Sequence, residues 1–324
     1  MKRIHRMPFG PTVQAGGVDF GFGAPSAEGV SLVHRPAGGA AATHTLSRDA
    51  DGWYRTTLAE ARAGDSYAWR LADGTTMPDP ASRFNPEDVH GPSRVVDPAA
   101  FDWPDAAWRG RPWHEAVVYE LHIGTFTDEG TFRAARERLA ALAGLGVTAI
   151  ELMPLADFPG RRNWGYDGVL QFAPDASYGT PDDLKALVAA AHALGIMVLL
   201  DVVYNHFGPE GNYLHGSCPE FFNDAERTPW GAAINFDGPG SRTVRDFFVH
   251  NVLYWIEEFH FDGLRMDAIH AIRDGSPKHI VQEIREALDA GPARERQVHL
   301  VLENDANPAR LRARGEGGHP LAGT

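Results

Sequence analysis

The amino-acid sequence predicts an α/β protein in which a small all-β domain precedes a larger domain of alternating strands and helices. Two observations carry this prediction. Over about the first hundred residues, short apolar or alternating runs are separated by turn residues. From about Trp113 onwards, near-continuous Val, Ile and Leu runs alternate with helical stretches, which is typical of a parallel sheet buried on both faces. The chain of 324 residues is long enough for one large core and a smaller second one.

The N-terminal region, residues 1–98, is predicted to be an immunoglobulin-like β-sandwich followed by a connector. Asp51-Gly52 and Asp73-Gly74 are hairpin-type signals. The spacing of the strand-like runs VDFGFGA, VSLVHR, WYRTTL and SYAWRLA fits a small sandwich. The Pro-rich, irregular stretch 77–98 is predicted to be the connector. Such a domain either binds carbohydrate by itself or packs against the next domain, and the packing role is favoured.

Residues 99–324 are predicted to form the first part of a (β/α)8 TIM barrel, with a loop excursion at 206–240. Predicted strands at 117–123, 147–153, 196–204, 261–267 and 298–304 alternate with predicted helices at 131–146, 181–195, 241–260 and 276–290. Long strand-to-helix connections and short returns are typical of a barrel whose functional loops follow its strands. Five strands do not close an eight-stranded barrel. Either the sheet is open and doubly wound, or the sequence holds only part of a barrel.

Composition and charge argue against several classes of function. The formal net charge of −13, from 30 Lys and Arg against 43 Asp and Glu, argues against nucleic-acid binding. No apolar run approaches the ~18 residues of a membrane span. The single cysteine, Cys218, cannot form an internal disulfide, and the first residues lack the apolar segment of a signal peptide. We therefore expect a cytoplasmic protein with no membrane or nucleic-acid partner and no cofactor.

The stretch GLRMDAIHAI, residues 263–272, carries the strongest chemical signal in the sequence. Side chains two apart on a strand share a face, so Arg265 and Asp267 are expected to lie side by side. A guanidinium next to a carboxylate favours the ionised form of that carboxylate. An ionised Asp at the C-terminal end of a strand is suited to attack a sugar carbon. A structural Arg–Asp pair at a strand end is the alternative explanation.

Polar residues also lie at or after the ends of the other strands, where barrel enzymes place their catalytic groups. These residues are Trp164, Tyr166 and Asp167 after the second strand, Asp201, Asn205 and His206 at the third, His270 after the fourth, and Glu303 at the fifth. Each has an ordinary explanation, such as a loop cap, a turn, a buried core histidine, an ion pair or an aromatic ring covering the core. Together they predict a sugar site in which Tyr166 offers a flat apolar face to a pyranose.

Two of these carboxyl groups fit the chemistry of glycoside hydrolysis. A retaining glycosidase needs two carboxyl groups about 5 Å apart, one ionised and one protonated. Adjacent parallel strands are ~4.8 Å apart, so Asp267 and Glu303 at neighbouring strand ends fit that distance. Glu303, on an apolar strand near a second carboxylate, is suited to be the acid. A metal site at Asp201, His206 and His270 competes with this idea, but no HExxH or tight Cys/His spacing occurs and no metal is predicted.

Three of the strand ends resemble motifs of the α-amylase superfamily. DVVYNH (201–206) is similar to the first motif, GLRMDAIH (263–270) to the second and ENDA (303–306) to the third. By position, the resemblance implies that Asp267 is the nucleophile, Glu303 the general acid/base and Arg265 the support of the nucleophile. It also implies substrate contacts for the remaining matched residues, Asp201, Asn205 and His206 of the first motif and Tyr166 with Asp167 beside it.

Within the superfamily, the similarity is closer still to the malto-oligosyltrehalose trehalohydrolases and extends from about Pro8 to about Arg314. Similar segments include VYELHIGTFTDEGTF, ELMPLADFPGRRNWGYDGV, TPWGAAINFD and HNVLYWIEEFHFDGLRMDAIHAI. These enzymes hydrolyse the α-1,4 bond next to the trehalose unit of malto-oligosyltrehalose, with retention at the anomeric carbon. The resemblance therefore implies such an α-glucan as substrate.

The resemblance also implies a fourth motif with a third essential Asp, for which no residue can be named in a sequence that ends at Thr324. We therefore expect the chain to be the front part of a longer enzyme, with apolar strand edges exposed. The alternatives are a glycogen branching or debranching enzyme, which would act on glycogen or amylopectin, and a non-catalytic glucan-binding fragment.

Overall fold

The computed structural model describes residue 1 and residues 3–305, except for the side chain of residue 224. The polar tail that follows the fifth predicted strand, and with it the end of the region of resemblance near Arg314, lies outside the described residues.

The N-terminal region folds into two antiparallel sheets. Its strands are β1 (Thr12–Gln14), β2 (Gly17–Gly23), β3 (Val30–Arg35), β4 (Ala42–Leu46), β5 (Trp53–Leu58), β6 (Ser66–Leu71), β7 (Thr76–Met77) and β8 (Ser93–Arg94). The strand order is β1-β2-β5 in one sheet and β4-β3-β6-β7 in the other, with β8 beside β6. Phe22 stacks on Trp69 at 5.3 Å and Phe20 contacts Tyr67 at 5.2 Å, so the two sheets pack face to face.

The two Asp-Gly pairs form turns of different kinds. At Asp73-Gly74, the chain reverses between β6 and β7, and Gly74 has a φ of +90°. At Asp51-Gly52, Gly52 has a φ of +83°, and the turn leads into β5, which belongs to the other sheet from β4. Glycine suits both positions because a positive φ is costly for residues with a side chain. An antiparallel bridge between Arg48 and Tyr54 closes the chain around Asp51-Gly52, so the second signal is also a hairpin-type turn, placed where the chain crosses between the sheets.

The second part of the chain contains the remaining strands and the helices. The strands are β9 (Val118–Leu121), β10 (Ala149–Leu152), β11 (Ala156–Asp157), β12 (Leu170–Pro174), β13 (Met197–Val202), β14 (Phe222–Thr228), β15 (Gly231–Ile234), β16 (Gly263–Met266) and β17 (His299–Leu302). The helices are α1 (Ile123–Phe126), α2 (Phe132–Gly144), α3 (Pro181–Ala193), α4 (Leu214–Ser217), α5 (Ser241–Glu258) and α6 (Ile280–Ala290). Each of the predicted strands and helices is present, with bounds that differ by a few residues.

The central sheet is parallel and winds in one direction. Its strand order is β17-β16-β13-β10-β9, so each strand lies beside its neighbour in the sequence, and every neighbouring pair is parallel. A doubly wound sheet would reverse this order at a switch point. Among the described strands no reversal occurs, so the doubly wound alternative is wrong and the sheet is part of a barrel wall. The carboxyl ends of β13, β16 and β17 therefore lie next to one another.

The helices begin where their sequences provide caps. The Thr131 side chain accepts a hydrogen bond from the amide of Ala134 at the start of α2. At α3, Thr180 and Asp183 form a reciprocal capping box, and Pro181 occupies the first turn. The apolar face of α3 is fully buried over the sheet at Leu184, Leu187, Val188 and Ala191. Burial of each large apolar side chain contributes about 1.5–3 kcal/mol, which orients the helix on the sheet.

The stretch 77–98 is tightly packed, in contrast to an ordinary connector. Arg83 forms an ion pair with Glu258 of α5 at 3.1 Å, and both side chains are nearly inaccessible to solvent. Asp88 accepts a hydrogen bond from the amide of Gly160 at 2.9 Å, in a loop that follows β10. Phe9 packs edge-on against Phe247 of α5 at 5.4 Å. The N-terminal region thus packs on the barrel region and shares a core with it.

A buried polar network fixes the opposite end of the central sheet. Asp262, just before β16, accepts hydrogen bonds from the Trp108 indole at 2.7 Å, from Arg296 at 3.1 Å and from the amide of Val198 at 2.9 Å. His192 of α3 lies 3.0 Å from the same carboxylate. Burial raises the cost of ionising Asp262, but His192 and Arg296 outweigh it and its pKa is lowered. The network holds β13 and β16 in register below the site.

Apolar side chains are exposed at the edge of the sheet formed by β9. Val117 is 55% exposed, and Val118 and Tyr119 are each 41% exposed. This observation agrees with the predicted exposure of apolar strand edges. In the described part of the chain, none of the helices combines the length and the apolar character needed to cross a membrane.

Candidate active site

Arg265 joins two carboxylates at the carboxyl ends of β13 and β16. These strands are in register at Asp201 and Arg265. The Nη1 nitrogen of Arg265 donates to Oδ2 of Asp201 and to Oδ1 of Asp267, each at 2.7 Å. The Asp201 side chain is fully buried, whereas those of Arg265 and Asp267 are 19% and 17% exposed. Asp267 is thus the carboxylate of the two that solvent, or a substrate, can reach.

Asp201 is held in an unusual electrostatic environment. Its Oδ2 also accepts a hydrogen bond from the Tyr166 hydroxyl at 3.0 Å, while its buried Oδ1 has no hydrogen-bond partner among the described residues. Burial raises the pKa of Asp201 to about 7, although Arg265 opposes the shift. The pKa of Tyr166 is raised by burial and by the neighbouring Asp201 carboxylate. Burial disfavours the charged form of Arg265, but the two carboxylates outweigh it and raise the pKa of Arg265.

Glu303 lies beside Asp267 because β16 and β17 are parallel and in register. Met266 pairs with Leu302, and the amide of Glu303 donates to the carbonyl of Met266 at 3.0 Å. The next residue of each strand end is therefore Asp267 on one side and Glu303 on the other. Neighbouring parallel strands are ~4.8 Å apart, so the two residues that carry these carboxyl groups are adjacent across the strand pair.

The backbone after Asp267 turns so that it holds the Glu303 side chain. Ala268 has a φ of +43°, in the left-handed region that residues with a side chain rarely adopt. Its amide donates to Oε2 of Glu303 at 2.7 Å. A left-handed non-glycine residue costs of order 1–3 kcal/mol, which the surrounding packing must offset. The turn places an N–H donor on one oxygen of Glu303.

Asn205 and His206 lie on the same side of the site. The Asn205 amide donates to the carbonyl of Asp267 at 3.2 Å. His206 donates from Nε2 to the carbonyl of Tyr166 at 3.1 Å, and its Nδ1 lies 2.5 Å from Oδ1 of Asn205. Burial lowers the pKa of His206. These contacts tie the loop that follows β13 to Asp267 and to the loop that carries Tyr166.

Trp230 is a residue of the site region that the sequence analysis missed. Its ring stacks on that of His206, with centroids 5.5 Å apart and an interplanar angle of 24°, and half of its surface is exposed. Trp230 lies in the turn between β14 and β15, a hairpin inside the predicted loop excursion. The sequence pattern that could have indicated this position is Trp230-Gly231 between the two short strand-like runs of β14 and β15.

The loop that carries Tyr166 owes its course to a close approach of backbone atoms. Gly165 has a φ of +98°, and a Cβ at this position would lie 2.1 Å from the carbonyl oxygen of Pro154. Asp167 accepts a hydrogen bond from the Asn163 side chain at 2.8 Å. The carbonyl of Asn163 lies 2.8 Å from Nε2 of His122, a residue that the sequence analysis also missed.

Trp164 and His270 lie away from the hydrogen-bonded cluster around Arg265. Trp164 is 75% exposed, so it does not cover the core, and that alternative explanation is wrong. His270 is exposed, and its Nδ1 lies 3.9 Å from a carboxylate oxygen of Asp305. Among the described residues, no hydrogen bond or ion pair joins either side chain to Arg265. Neither side chain is therefore part of that hydrogen-bonded cluster.

The hydrogen bonds of the cluster suit carboxylate chemistry better than metal binding. Arg265 and Tyr166 bind Oδ2 of Asp201, and both ring nitrogens of His206 face oxygens of the protein. Asp201, His206 and His270 do not form a metal-ligand set in the described part of the chain. Asp267 and Glu303 remain as a pair of neighbouring, partly exposed carboxyl groups beside the partly buried guanidinium of Arg265.

Comparisons with known proteins identify the family to which the chain belongs. The family described as "Alpha amylase, catalytic domain" matches residues 83–251. A malto-oligosyltrehalose trehalohydrolase from Saccharolobus solfataricus is 46% identical over 94% of this chain and 52% of its own length. One from Deinococcus radiodurans is 48% identical over 72% of this chain and 38% of its own length.

A solved structure extends the likeness to three dimensions. The crystal structure of a putative α-amylase from Salmonella typhimurium superimposes with a TM-score of 0.90, at 45% identity, over 97% of this chain and 52% of that one. The chain thus spans about half the length of this structure and of the Saccharolobus relative. On the family match, the sequence identities and the superposition together, the chain belongs to the α-amylase family.

Proposed function

We propose that this chain belongs to a retaining glycoside hydrolase that cleaves the α-1,4-glucosidic bond next to the terminal trehalose unit of malto-oligosyltrehalose. One observation carries the catalytic part of the proposal: Asp267 and Glu303 follow adjacent, in-register parallel strands, and Arg265 bonds directly to Asp267. A separation of about 5 Å between two carboxyl groups is the arrangement of retaining enzymes.

The reaction proceeds in two steps. In the first step, a carboxylate oxygen of Asp267 attacks the anomeric carbon of the malto-oligosyl residue, while Glu303 protonates the glycosidic oxygen and trehalose leaves. In the second step, the Glu303 carboxylate takes a proton from water, whose oxygen attacks the same carbon and releases Asp267. Two displacements restore the original anomeric configuration.

The other residues of the cluster support these two groups. Arg265 stabilises the ionised form of Asp267 and orients its carboxylate, since its guanidinium is fixed from behind by buried Asp201. The amide of Ala268 orients Glu303. Tyr166 offers its ring to the sugar while its hydroxyl bonds to Asp201. The remaining residues form the proposed substrate-binding surround. These are Asn205, His206 and Asp167, with Trp164 and His270 further out.

The specificity for a trehalose-capped substrate rests on the relatives. The proteins from Saccharolobus solfataricus and Deinococcus radiodurans carry the name malto-oligosyltrehalose trehalohydrolase at 46% and 48% identity. These identities favour trehalose release over the branching or debranching alternative. An α-glucan of this kind is therefore the proposed partner, in a pathway that forms trehalose from glucans.

We also propose a division into residues 1–98, an immunoglobulin-like sandwich with its connector, and residues 99–324, the catalytic domain. The chain passes from one sheet to the other after β2, β4 and β5, which supports an immunoglobulin-like topology. A cytoplasmic location is proposed because Cys218 is a buried free thiol.

Product analysis tests the proposed function. The full-length protein that carries this sequence is incubated with malto-oligosyltrehalose and, in parallel, with plain malto-oligosaccharide of the same length. We expect trehalose from the first substrate and little cleavage of the second. Asp267→Asn should abolish turnover, whereas Tyr166→Ala should raise KM. Equal cleavage of both substrates would contradict the specificity, and an Asp267→Asn variant that keeps a substantial fraction of the rate would contradict the mechanism.

A further inference from the structure

A second cluster of potential ligands lies in the N-terminal sandwich, away from the proposed active site. His34 is on β3, His44 is on the edge strand β4, and Glu60 follows the end of β5. One ligand atom from each of these side chains lies within 4.8 Å of the others. We propose that His34, His44 and Glu60 bind a divalent cation of the zinc class, which links the two sheets of the sandwich.

The strand pairing explains why the two histidines meet. His44 pairs with Leu32 of β3, and His34 lies two residues further along the same strand. Side chains two apart on a strand share a face, so His34 and His44 are diagonal neighbours on the inner face of the sheet. Their ring centroids are 6.5 Å apart. Glu60 reaches the same point from the other sheet, because β5 belongs to the sheet that contains β2.

The carboxylate of Asp65 prepares His34 to act as a ligand. Nε2 of His34 lies 2.9 Å from Oδ2 of Asp65. A carboxylate accepts a hydrogen bond from Nε2–H, which leaves the lone pair of the neutral ring on Nδ1. Asp65 is itself fixed by the amides of Ala37 and Arg62, at 3.0 and 2.9 Å. A carboxylate behind a histidine is the usual support of a metal-binding imidazole.

His44 provides independent evidence for a ligand. Its Nε2 atom is buried and has no hydrogen-bond partner among the described residues. An unpaired buried polar atom is costly to the stability of a fold. A cation at the common point of the three side chains would supply the missing partner.

The donor set selects the type of cation. Two imidazole nitrogens and one carboxylate suit Zn²⁺, whereas Ca²⁺ and Mg²⁺ prefer oxygen ligands. Ligand atoms at 2.0–2.1 Å from a tetrahedral Zn²⁺ are ~3.4 Å apart. The present spacing of up to 4.8 Å therefore requires a closure of about an ångström or less at each side chain. The exposed Glu60 side chain can move that far, and water would complete the coordination.

Titration of the metal-free chain with Zn²⁺ tests the proposal. After removal of metals with a chelator, titration calorimetry should show that each chain binds one equivalent of Zn²⁺ tightly. Bound Zn²⁺ should raise the melting temperature by several degrees. His44→Gln and Glu60→Gln should each weaken that equivalent at least tenfold. Asp65→Asn should weaken it about 10–100-fold, the effect of losing a carboxylate behind a ligand histidine. His114→Gln, at an exposed histidine of the other domain, is the matched control and should leave it unchanged.

Cobalt substitution gives a readout that a purely structural role would not alter. Co²⁺ bound to the parent chain should show the visible absorption of a four-coordinate site, and His44→Gln should abolish it while the far-ultraviolet circular dichroism stays the same. Two results would overturn the proposal. One is that the parent chain binds no Zn²⁺ tightly. The other is that the parent, His44→Gln and Glu60→Gln all bind Zn²⁺ with the same affinity.

Discussion

Replacement of Arg265 by Met removes the charge that joins the two carboxylates while keeping an unbranched apolar side chain. In the native structure, Asp201 is fully buried, and within the described part of the chain its Oδ2 accepts hydrogen bonds from Arg265 and Tyr166 alone. Loss of one partner of a buried ion pair costs about 3–5 kcal/mol, because the other charge is left uncompensated. We therefore expect Arg265→Met to lower the free energy of unfolding, with the loss approaching this amount only at pH values well above 7, where Asp201 is fully ionised.

The pH dependence of that loss identifies its cause. Burial raises the pKa of Asp201 to about 7 in the folded protein, above its ordinary value of 3.8. Removal of Arg265 raises the folded-state pKa further, because a favourable charge is lost, whereas the unfolded chain is unaffected. Below pH 7, folded Asp201 is protonated in both proteins, so the two should differ little in stability through this group. The difference should grow as the pH rises through 7.

Urea unfolding followed by circular dichroism at pH 5 and pH 8 measures this effect. At pH 8, one unit above the folded-state pKa of Asp201, we expect Arg265→Met to be less stable than the parent by about 1.4 kcal/mol through this group, and at pH 5 by clearly less. Arg133→Met is the matched control, because Arg133 pairs with Asp183 at the surface with 74% of its side chain exposed. It should change stability little at either pH. An equal loss at both pH values in Arg265→Met would refute the role assigned to the Asp201 charge.

Three further substitutions test individual contacts of the site. Tyr166→Phe keeps the ring but removes a hydrogen bond to a carboxylate, so we expect a stability loss of about 1.5–3 kcal/mol at pH 8 in urea unfolding. Glucan affinity should be nearly unchanged. A weakened affinity would instead mean that the hydroxyl contacts the sugar. Gly165→Ala forces a Cβ to 2.1 Å from the carbonyl oxygen of Pro154 and should lower the melting temperature and raise KM. The control Gly144→Ala, in open space within α2, should not destabilise the protein. Equal melting temperatures for the two variants would contradict the close backbone approach at Gly165. Trp230→Ala should weaken glucan binding in affinity electrophoresis without lowering the melting temperature, and unchanged mobility would exclude Trp230 from the binding surface.

The sequence predicted the central sheet well because its strands are continuous apolar runs bounded by glycine and by capped helices. Val198, Leu199 and Leu200 are consecutive and fully buried. Consecutive apolar side chains point to opposite faces of a strand, so such a run fits a parallel sheet that is covered on both faces. The edge strand β4 was missed because its residues ATHTL alternate without large apolar side chains, and most of them are exposed. The hairpin β14–β15 was missed for a similar reason, since polar residues make up much of β14.

The candidate site was predictable where its residues follow strands and unpredictable where long-range packing decides. Arg265 and Asp267 share a strand face, so local geometry alone brings them together. Ala268 has the left-handed backbone that orients Glu303, but alanine gives no sequence signal for a positive φ. His122 and Trp230 reach the site from separate loops, and only the folded chain shows that they do. The same holds for the stretch 77–98, whose Arg83 finds its partner Glu258 across 175 residues.

The most direct test of the central claim is to identify the residue that becomes covalently linked to the sugar. The full-length protein with Glu303→Gln is incubated with a fluorinated glycosyl fluoride, whose good leaving group needs no acid and whose fluorine slows hydrolysis of the intermediate. Peptide mass spectrometry then locates the added sugar. We predict that the label lies on the peptide that contains Asp267 and that Asp267→Asn abolishes labelling. A label on another carboxylate, or full turnover without any covalent intermediate, would contradict the proposed mechanism.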